Sequence, residues 1–362
     1  MELARVLMTG TDVDPKALKR SQRAHRTDFE SNARTLEGAC GNALWKSATI
    51  TSKGKPDSRY LSVMPDDVDQ VTAEEATAVI RRQLAACGLE VVVLGDFDED
   101  ELEREALVHL GSLPRGERAA PGKDSKVWSV EMRGGTQVRV RVKDDVERTS
   151  IMMIAPCINR WGKAGDIVEL GDEYPGGREA YERIMEEHGQ MLPNRCLVLA
   201  QDIINNRLYE RIREQKGMVY SVGMSWDPMF VMDKGFVSVQ LMPFPDKIQE
   251  SSDAVMAVLR ELMEEGFTQD EFDAVKKPVV KDIRESLESN SYWTSLIEGL
   301  QSGGLQPKTL DSIQNIPEMY DSISMEQVLS IMRGAIGAFE KTAVVLHGVS
   351  GGGYDGVEVD VL

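Results

Sequence analysis

The chain has 362 residues, of which 41% are hydrophobic, and a formal net charge of −18 at pH 7. This length allows more than one domain and a large core, and the composition carries no signature of disorder. Such an acidic chain has no general attraction for nucleic acid or for an anionic membrane, whereas it suits basic or unfolded peptide partners.

The cysteine pattern argues against a disulfide framework and against a structural zinc site. The four cysteines are far apart and form no C-x-x-C pair: Cys40, Cys87, Cys157 and Cys196. We therefore expect buried thiols in a reducing compartment, the cytosol or an organelle lumen, rather than a secreted protein. No stretch is long and apolar enough to span a membrane, and the short, charged N-terminus is not expected to act as a signal peptide.

The first clear elements follow residue 60, after a stretch that predicts only solvated helices. Thr72 and Glu75 predict a capping box that opens a helix. The continuous apolar run from Leu89 to Leu94 predicts a buried strand. Asp98 with Glu101 predicts a second capping box at the start of the next helix.

A stretch rich in glycine, proline and charged residues, 115–124, predicts a linker, and two strands come after it. Val138, Val140 and Val142 alternate with basic residues, which predicts a strand with one apolar and one solvated face. The basic face could indicate nucleic-acid binding, but a solvated strand face is the stronger interpretation in a chain of this charge. Residues 150–155 predict a second, more buried strand.

Residues 205–223 combine a helix, a glycine and a strand in immediate succession. Apolar residues recur at helical spacing up to Ile212, and Gly217 then predicts a C-cap with positive φ. The residues after it predict a strand, so Arg213 and Tyr220 are expected close together on rigid elements. Two interpretations are open: the pair is functional, or Arg213 only complements the helix C-terminus and Tyr220 is an ordinary strand aromatic.

The last third of the chain continues the alternation of strands and helices. A strand is predicted at 236–241, a third capping box at Thr268 and Glu271, and a closing strand at 342–346. The residues that follow, 350–362, begin with a glycine-rich run and predict a flexible tail.

The run from Arg213 to Ser221, R-E-Q-K-G-M-V-Y-S, carries a family resemblance. It resembles the L-R-E-K-x-G-x-x-Y-S segment of the pitrilysin/insulysin family of zinc metallopeptidases, which includes the mitochondrial processing peptidase subunits and PqqL-like proteases. In those proteins the segment belongs to the C-terminal half. Residues 89–114 also resemble the end of a domain in this family, with a strand, G-D-F-D, a helix and L-G-x-L-P.

The resemblance implies an α+β fold of two units, each an antiparallel-rich sheet backed by helices, with the first unit truncated. The implied division is a C-terminal part of a peptidase-like domain at 1–114, the linker at 115–124, a complete inactive peptidase-like domain at 125–349, and the tail at 350–362.

The family's zinc motif is missing from this sequence. Members hold zinc with H-x-x-E-H and a downstream glutamate, whereas the four histidines here are isolated from one another: His25, His109, His188 and His347. We therefore expect no metal and no cofactor in this chain, and no activity from it alone. Zinc is expected in a catalytic H-x-x-E-H half, supplied in cis or in trans.

The resemblance also implies roles for the two singled-out residues. Tyr220 would donate its hydroxyl to the carbonyl or oxyanion of the scissile peptide bond, and Arg213 would hydrogen-bond a main-chain carbonyl of the peptide substrate. The expected function is to close the proteolytic chamber of a zinc metalloendopeptidase and to orient unfolded peptides. The alternatives are a catalytically silent structural subunit related to processing peptidases and a stand-alone peptide-binding module.

Overall fold

A computed structural model describes residues 1–10, 12–51, 53–86, 89–113, 131–162, 174–229, 234–300 and 308–362. The chain divides into two compact units, each assembled from three segments of the sequence. Unit 1 comprises Met1–Glu30, Val63–Lys126 and Glu285–Gln314, and unit 2 comprises Ser31–Ser62, Val127–Arg284 and Asn315–Leu362.

All regular secondary structure in the described residues of unit 1 is helical. Its helices are α1 (Glu2–Thr9), α2 (Pro15–Arg34, of which residues to Glu30 belong here), α4 (Pro65–Asp69), α5 (Ala73–Ala86), α6 (Glu99–Ala106, continued by a π-helical turn at Leu107–Gly111) and α11 (Asn290–Ile297). Arg26 ties α2 to α4 through Asp66 at 2.7 Å and Asp69 at 2.6 Å. The predicted cap at Thr72 and Glu75 is confirmed in both directions, and Asp98 accepts from the Glu101 amide at 2.8 Å.

The strand predicted from Leu89 to Leu94 does not form. These residues have no ladder partner among the described residues, and Leu89, Val91 and Val93 are exposed. An apolar run becomes a strand only when another strand satisfies its backbone groups and its side chains are covered. The predicted sheet of the first unit is therefore absent from the described residues, and the predicted linker at 115–124 lies outside them.

Unit 2 is built on a six-stranded sheet of order β5-β6-β4-β7-β3-β8. Its strands are β3 (Gln137–Lys143), β4 (Arg148–Cys157), β5 (Val219–Asp227), β6 (Gly235–Pro243), β7 (Val344–Gly351) and β8 (Val357–Val361). All neighbours are antiparallel except β3 and β7, which are parallel. A separate two-stranded ribbon pairs β1 (Thr49–Ile50) with β2 (Glu131–Met132). The α+β class with an antiparallel-rich sheet is confirmed.

Helices cover both faces of the six-stranded sheet. One face packs on α3 (Leu36–Ala48) through Val138, Val140 and Val142, while Ile151 and Val239 point into the larger core on the other face. The remaining helices of unit 2 are α7 (Gly177–His188), α8 (Leu192–Leu208), α9 (Ile248–Glu264), α10 (Gln269–Ser286, of which residues to Arg284 belong here), α12 (Ile316–Ser322) and α13 (Met325–Thr342). The strand alternation predicted for β3 is confirmed, with its valines buried and its basic residues on the other face.

Two parts of the predicted division differ from the structure. The prediction placed residues 1–114 in one domain, yet 31–62 belong to unit 2, because Leu36, Cys40 and Leu44 of α3 pack on the sheet. The predicted flexible tail at 350–362 is wrong, because residues 357–361 form β8, whose valines continue the apolar face of β3. Within the residues described, no helix combines the length and apolarity needed to cross a membrane.

Candidate functional site

The predicted helix, glycine and strand around Gly217 all form. The apolar positions at helical spacing lie in the core of unit 2: Leu197, Ile204, Leu208 and Ile212. α8 continues directly into a π-helical segment, Tyr209–Glu214, in which the Gln215 amide donates to the Glu210 carbonyl at 2.9 Å. Single π-helical turns of this kind are rare and occur often at functional sites.

Gly217 ends this helix in the left-handed region with φ of +58°. Its amide donates to the Arg213 carbonyl at 3.2 Å, which is the bond of an αL cap. The cap fixes the backbone of Arg213 and turns the chain at once into β5, so the predicted succession of helix, glycine and strand is confirmed. The closeness of the Arg213 and Tyr220 side chains stays a prediction.

Tyr220 occupies a β-bulge at the start of β5. Val219 pairs with Pro243 and Ser221 pairs with Met242, which leaves Tyr220 as the extra residue between two successive pairs. Its side chain is 62% exposed, with its ring centroid 4.3 Å from that of Phe244. Because a bulge re-aims the side chain it carries, Tyr220 lies largely exposed on this edge strand.

Arg213 makes a cation–π contact with Tyr209. Its guanidinium carbon lies 5.0 Å from the ring centroid of Tyr209, four residues earlier, which is cation–π distance. No hydrogen bond joins Arg213 to Tyr220 among the described residues. The site therefore consists of two pairs on either side of the Gly217 turn, Arg213 with Tyr209 and Tyr220 with Phe244.

Sequence reasoning identified Arg213 and Tyr220 but missed Tyr209 and Phe244. The spacing of four residues between Tyr209 and Arg213 could have indicated their contact on one helical face. The contact of Phe244 with Tyr220 depends on the pairing of β5 with β6, which the sequence around either residue does not fix.

An ion-pair network anchors the helix that leads into this site. Arg207 at the end of α8 contacts Glu271 at 2.5 Å and Glu261 at 2.9 Å, and Arg211 contacts Glu261 at 3.2 Å. The hydrogen bond from Arg207 lowers the pKa of Glu271 to about 2, and Thr268 donates to the same carboxylate as part of the predicted capping box. The network fastens the helix that carries Arg213 to α9 and α10.

Side-chain amides of α8 fasten β5 along its outer edge. Asn205 donates to the Met224 carbonyl at 2.9 Å and accepts from the Met224 amide at 2.6 Å. Gln201 accepts from the Trp226 amide at 2.7 Å. These bonds satisfy backbone groups that an additional strand would otherwise use, so the middle of this edge is closed.

The histidines do not fit a zinc site. His25 lies 3.0 Å from the Val63 carbonyl and His109 lies 3.2 Å from the Glu105 carboxylate. In the part of the chain that the structure describes, no three histidine, cysteine or acidic side chains come close enough together to hold a metal ion.

Comparison with known proteins shows which protein family the chain resembles. A family profile described as the peptidase M16 inactive domain matches residues 70–279. The chloroplastic stromal processing peptidase of Arabidopsis thaliana is 24% identical over 331 residues, covering 86% of this chain and 26% of that protein. An uncharacterised zinc protease of Mycobacterium leprae is 24% identical, covering 71% of this chain and 52% of its own.

Solved structures share the fold. The periplasmic protease PqqL from Escherichia coli gives a TM-score of 0.68 at 15% identity, covering 93% of this chain and 33% of PqqL. A peptidase M16 inactive domain from Pseudomonas fluorescens gives 0.66 at 16% identity, with 95% and 72% covered. A chain of complex III from Candida albicans gives 0.57 at 14% identity, with 97% and 75% covered.

The chain spans about a quarter of the length of the stromal processing peptidases that it matches. The family profile covers more than half of the chain and includes both Arg213 and Tyr220. The resemblance first carried by the run from Arg213 to Ser221 is thereby confirmed, and the chain belongs to the peptidase M16 family through its inactive domain.

Proposed function

We propose that this chain is the non-zinc-binding part of a zinc metalloendopeptidase, which closes the proteolytic chamber and orients extended peptides for hydrolysis. The observation that carries the proposal is the exposed Tyr220 on its β-bulge, beside the π-helical turn of Arg213, in an M16 inactive domain. The zinc and the general base belong to a catalytic H-x-x-E-H half in cis or in trans.

Tyr220 and Arg213 supply complementary hydrogen-bond donors. The Tyr220 hydroxyl donates to the carbonyl oxygen of the scissile bond, where a donor gains strength as negative charge develops on that oxygen. Arg213, braced on the Tyr209 ring, donates to a main-chain carbonyl and holds the peptide extended. Both roles bind and orient the peptide, and neither needs a metal in this chain.

The substrate class follows from the relatives and from charge. The curated relatives include processing peptidases, and a solved structure of the same fold is a ferredoxin protease in complex with Arabidopsis ferredoxin. Together with a formal net charge of −18, this supports unfolded, basic polypeptide segments as substrates. The buried thiols of Cys40, Cys157 and Cys196 support a reducing compartment.

The test is peptide cleavage with zinc present, by this chain alone and by this chain mixed with a catalytic H-x-x-E-H half. We expect cleavage that requires both components, because the chain supplies donors and the other half supplies the metal. Cleavage by the catalytic half at the same rate without this chain would contradict the proposal, and so would chelator-sensitive cleavage by this chain alone.

The structural-subunit alternative is supported by the fold likeness to the chain of complex III. It needs neither the Tyr220 hydroxyl nor the Arg213 guanidinium. A stable complex with the catalytic half that never cleaves peptide, and that is unchanged by replacing either residue, would favour this alternative. Binding of extended peptides by a monomer of this chain, without a partner and without any cleavage, would favour the stand-alone module.

A further inference from the structure

The described six-stranded sheet ends at β8, on the opposite side from the candidate site. β8 pairs only with β3 among the described strands. Five strand spacings separate β8 from β5, which is about 24 Å. Side chains of α8 hydrogen-bond the outward backbone groups of β5 at Met224 and Trp226. The two edge strands therefore differ in how many backbone groups an added strand could use.

The register of β8 shows which backbone groups face outward. The Lys143 amide donates to the Gly356 carbonyl at 2.7 Å, and the Leu362 amide donates to the Gln137 carbonyl at 2.9 Å. In an antiparallel pair, hydrogen-bonded positions alternate with positions that point away. The backbone groups of Glu358 and Asp360 therefore hydrogen-bond to β3. The amides and carbonyls of Val357, Val359 and Val361 point away from β3, where the described residues provide no partner.

The same three valines line a groove. Their side chains lie opposite those of the buried valines of β3 and so face the α3 side of the sheet. Together with α3 they enclose a groove of about 650 Å³, hereafter the β8 groove, lined by Ala39, Ala43, Ser47, Val357, Val359 and Val361. The valines are 45%, 46% and 53% exposed in chain order, so the apolar wall and the open backbone groups belong to one short segment.

Charge differs between the two faces of β8. On the face away from the groove, Glu358 and Asp360 share the single guanidinium of Arg141, at 3.5 Å and 2.8 Å, and both remain about half exposed. On the groove side, the exposed cations Lys46 and Arg133 border the apolar wall. A strand added to β8 would therefore accept basic side chains on the first face and apolar side chains on the second.

A second copy of β8 is a poor occupant. Antiparallel pairing centred on Val359 would place Glu358 of one copy opposite Asp360 of the other, and parallel pairing in register would also set acid against acid. Like charges directly opposite destabilise a strand pair, and each chain carries a formal net charge of −18. The occupant must bring positive charge.

We propose that β8 and its groove bind one extended peptide strand in which apolar and basic side chains alternate. The peptide adds a seventh strand to the sheet, bonded to the outward backbone groups of Val357, Val359 and Val361. Its apolar side chains enter the β8 groove and its basic side chains lie beside Glu358 and Asp360. This site is separate from Tyr220 and does not depend on the proposed proteolytic role.

Binding is tested with the full chain and three labelled seven-residue peptides, by fluorescence anisotropy. The first alternates valine with lysine, the second scrambles the same composition, and the third alternates valine with glutamate. We expect saturable binding of the first peptide. The dissociation constants of the other two should be at least about tenfold higher. A tenfold loss of affinity is comparable with the loss of one or two hydrogen bonds.

Two variants identify the bonding groups. Val359→Pro removes an outward amide without removing a bond to β3, a position at which an edge strand tolerates proline, and should weaken the first peptide about tenfold. Glu358→Lys should weaken the lysine peptide and strengthen the glutamate peptide, each about threefold. Asp270→Lys, which makes the same change of charge on the first turn of α10, should change neither.

Amide hydrogen exchange locates the peptide directly. In the free chain, the amides of Glu358 and Asp360 should exchange slowly and those of Val357, Val359 and Val361 fast. The lysine peptide should slow the three valine amides. Equal binding of the alternating and scrambled peptides, unchanged exchange at the valines, or a dimer that Val359→Pro dissociates would each overturn the proposal.

Discussion

The hydroxyl of Tyr220 can be tested separately from its ring. The Tyr220 ring rests on Phe244, so Tyr220→Phe keeps the packing and removes only the hydroxyl. If that hydroxyl stabilises an oxyanion, the variant should lower kcat about 100-fold, the usual loss for one such donor, with little change in KM. Steady-state peptide cleavage by the mixture of this chain and a catalytic half measures both constants.

Tyr209→Phe is the matched control for this measurement. Tyr209 is also exposed, lies in the same turn region and keeps its ring under the Arg213 guanidinium after the change. We expect its kcat and KM to equal those of the parent chain. Equal kcat and KM for Tyr220→Phe and Tyr209→Phe would contradict the proposal that the Tyr220 hydroxyl donates to the oxyanion.

Gly217 is required for its backbone conformation and not for its size. Its φ is +58°, and a Cβ at this position would meet nothing within 4 Å. Gly217→Ala should therefore cost about 1 kcal/mol in the free energy of unfolding, through backbone strain alone. Urea denaturation measures this loss. Gly353→Ala is the control, since its Cβ would also meet nothing within 4 Å while its φ lies outside the left-handed region; a loss of equal size there would contradict the explanation.

At the residue scale, the sequence predicts the components of the site better than their contacts. Arg213, Gly217 and Tyr220 are local signals, because a periodic helix, a glycine and a strand start can be read within twenty residues. Phe244 reaches Tyr220 only through the pairing of β5 with β6 and the bulge in β5. Strand pairing is a long-range property, so no local pattern around Tyr220 indicates its aromatic partner.

At the scale of elements, close approach of α3 to the sheet depends on Gly348 in β7. A Cβ at Gly348 would overlap Cys40 Sγ and would lie 3.2 Å from Leu36 Cδ1. Gly348→Ala should therefore destabilise the chain by about 1–3 kcal/mol, the usual cost of overpacking a core. Thermal unfolding and urea denaturation both report this change.

The neighbouring Gly351 gives the control for this prediction. It lies in the same strand, but its nearest atom to an added Cβ is Tyr354 Cε2 at 3.6 Å, which is ordinary contact. Gly351→Ala should cost little. Combining Gly348→Ala with Cys40→Ala should restore part of the loss, because the second change removes the overlapping sulfur; a double variant less stable than both single variants would show that α3 does not approach the sheet in this way.

Two elements show where local patterns fail. Leu89 to Leu94 has the composition of a buried strand, yet no described strand pairs with it, and Leu89, Val91 and Val93 remain exposed. Residues 357–361 follow a glycine-rich run that indicates a flexible tail, yet they pair with β3 because their valines match its apolar face. In both cases the outcome is decided by a partner strand that is distant in sequence.

At the scale of the whole molecule, the acid stability of unit 2 depends on the ion pairs below the candidate site. The pKa of Glu271 is lowered to about 2, chiefly by the hydrogen bond from Arg207, and in an unfolded chain it returns to its ordinary value near 4.5. A lowered folded-state pKa means that the stabilisation is complete above the unfolded value. It is then lost as pH falls from about 5 toward 2.

Glu271→Gln measures this contribution. With the solvent exposure of the pair taken into account, the variant should be about 1–2 kcal/mol less stable than the parent at pH 6. The difference should shrink progressively between pH 5 and pH 2, because the parent carboxylate becomes protonated. Urea denaturation followed by tryptophan fluorescence at several pH values gives both curves.

Asp270→Asn provides the comparison, since this carboxylate lies on the same first turn of α10 and makes no ion pair among the described residues. A Glu271→Gln difference that shrinks no more than the Asp270→Asn difference as pH falls would mean that Arg207 does not hold Glu271 ionised. The helix carrying Arg213 would then be held against α9 and α10 by packing alone, and the kcat effect expected for Tyr220→Phe would be insensitive to Glu271→Gln.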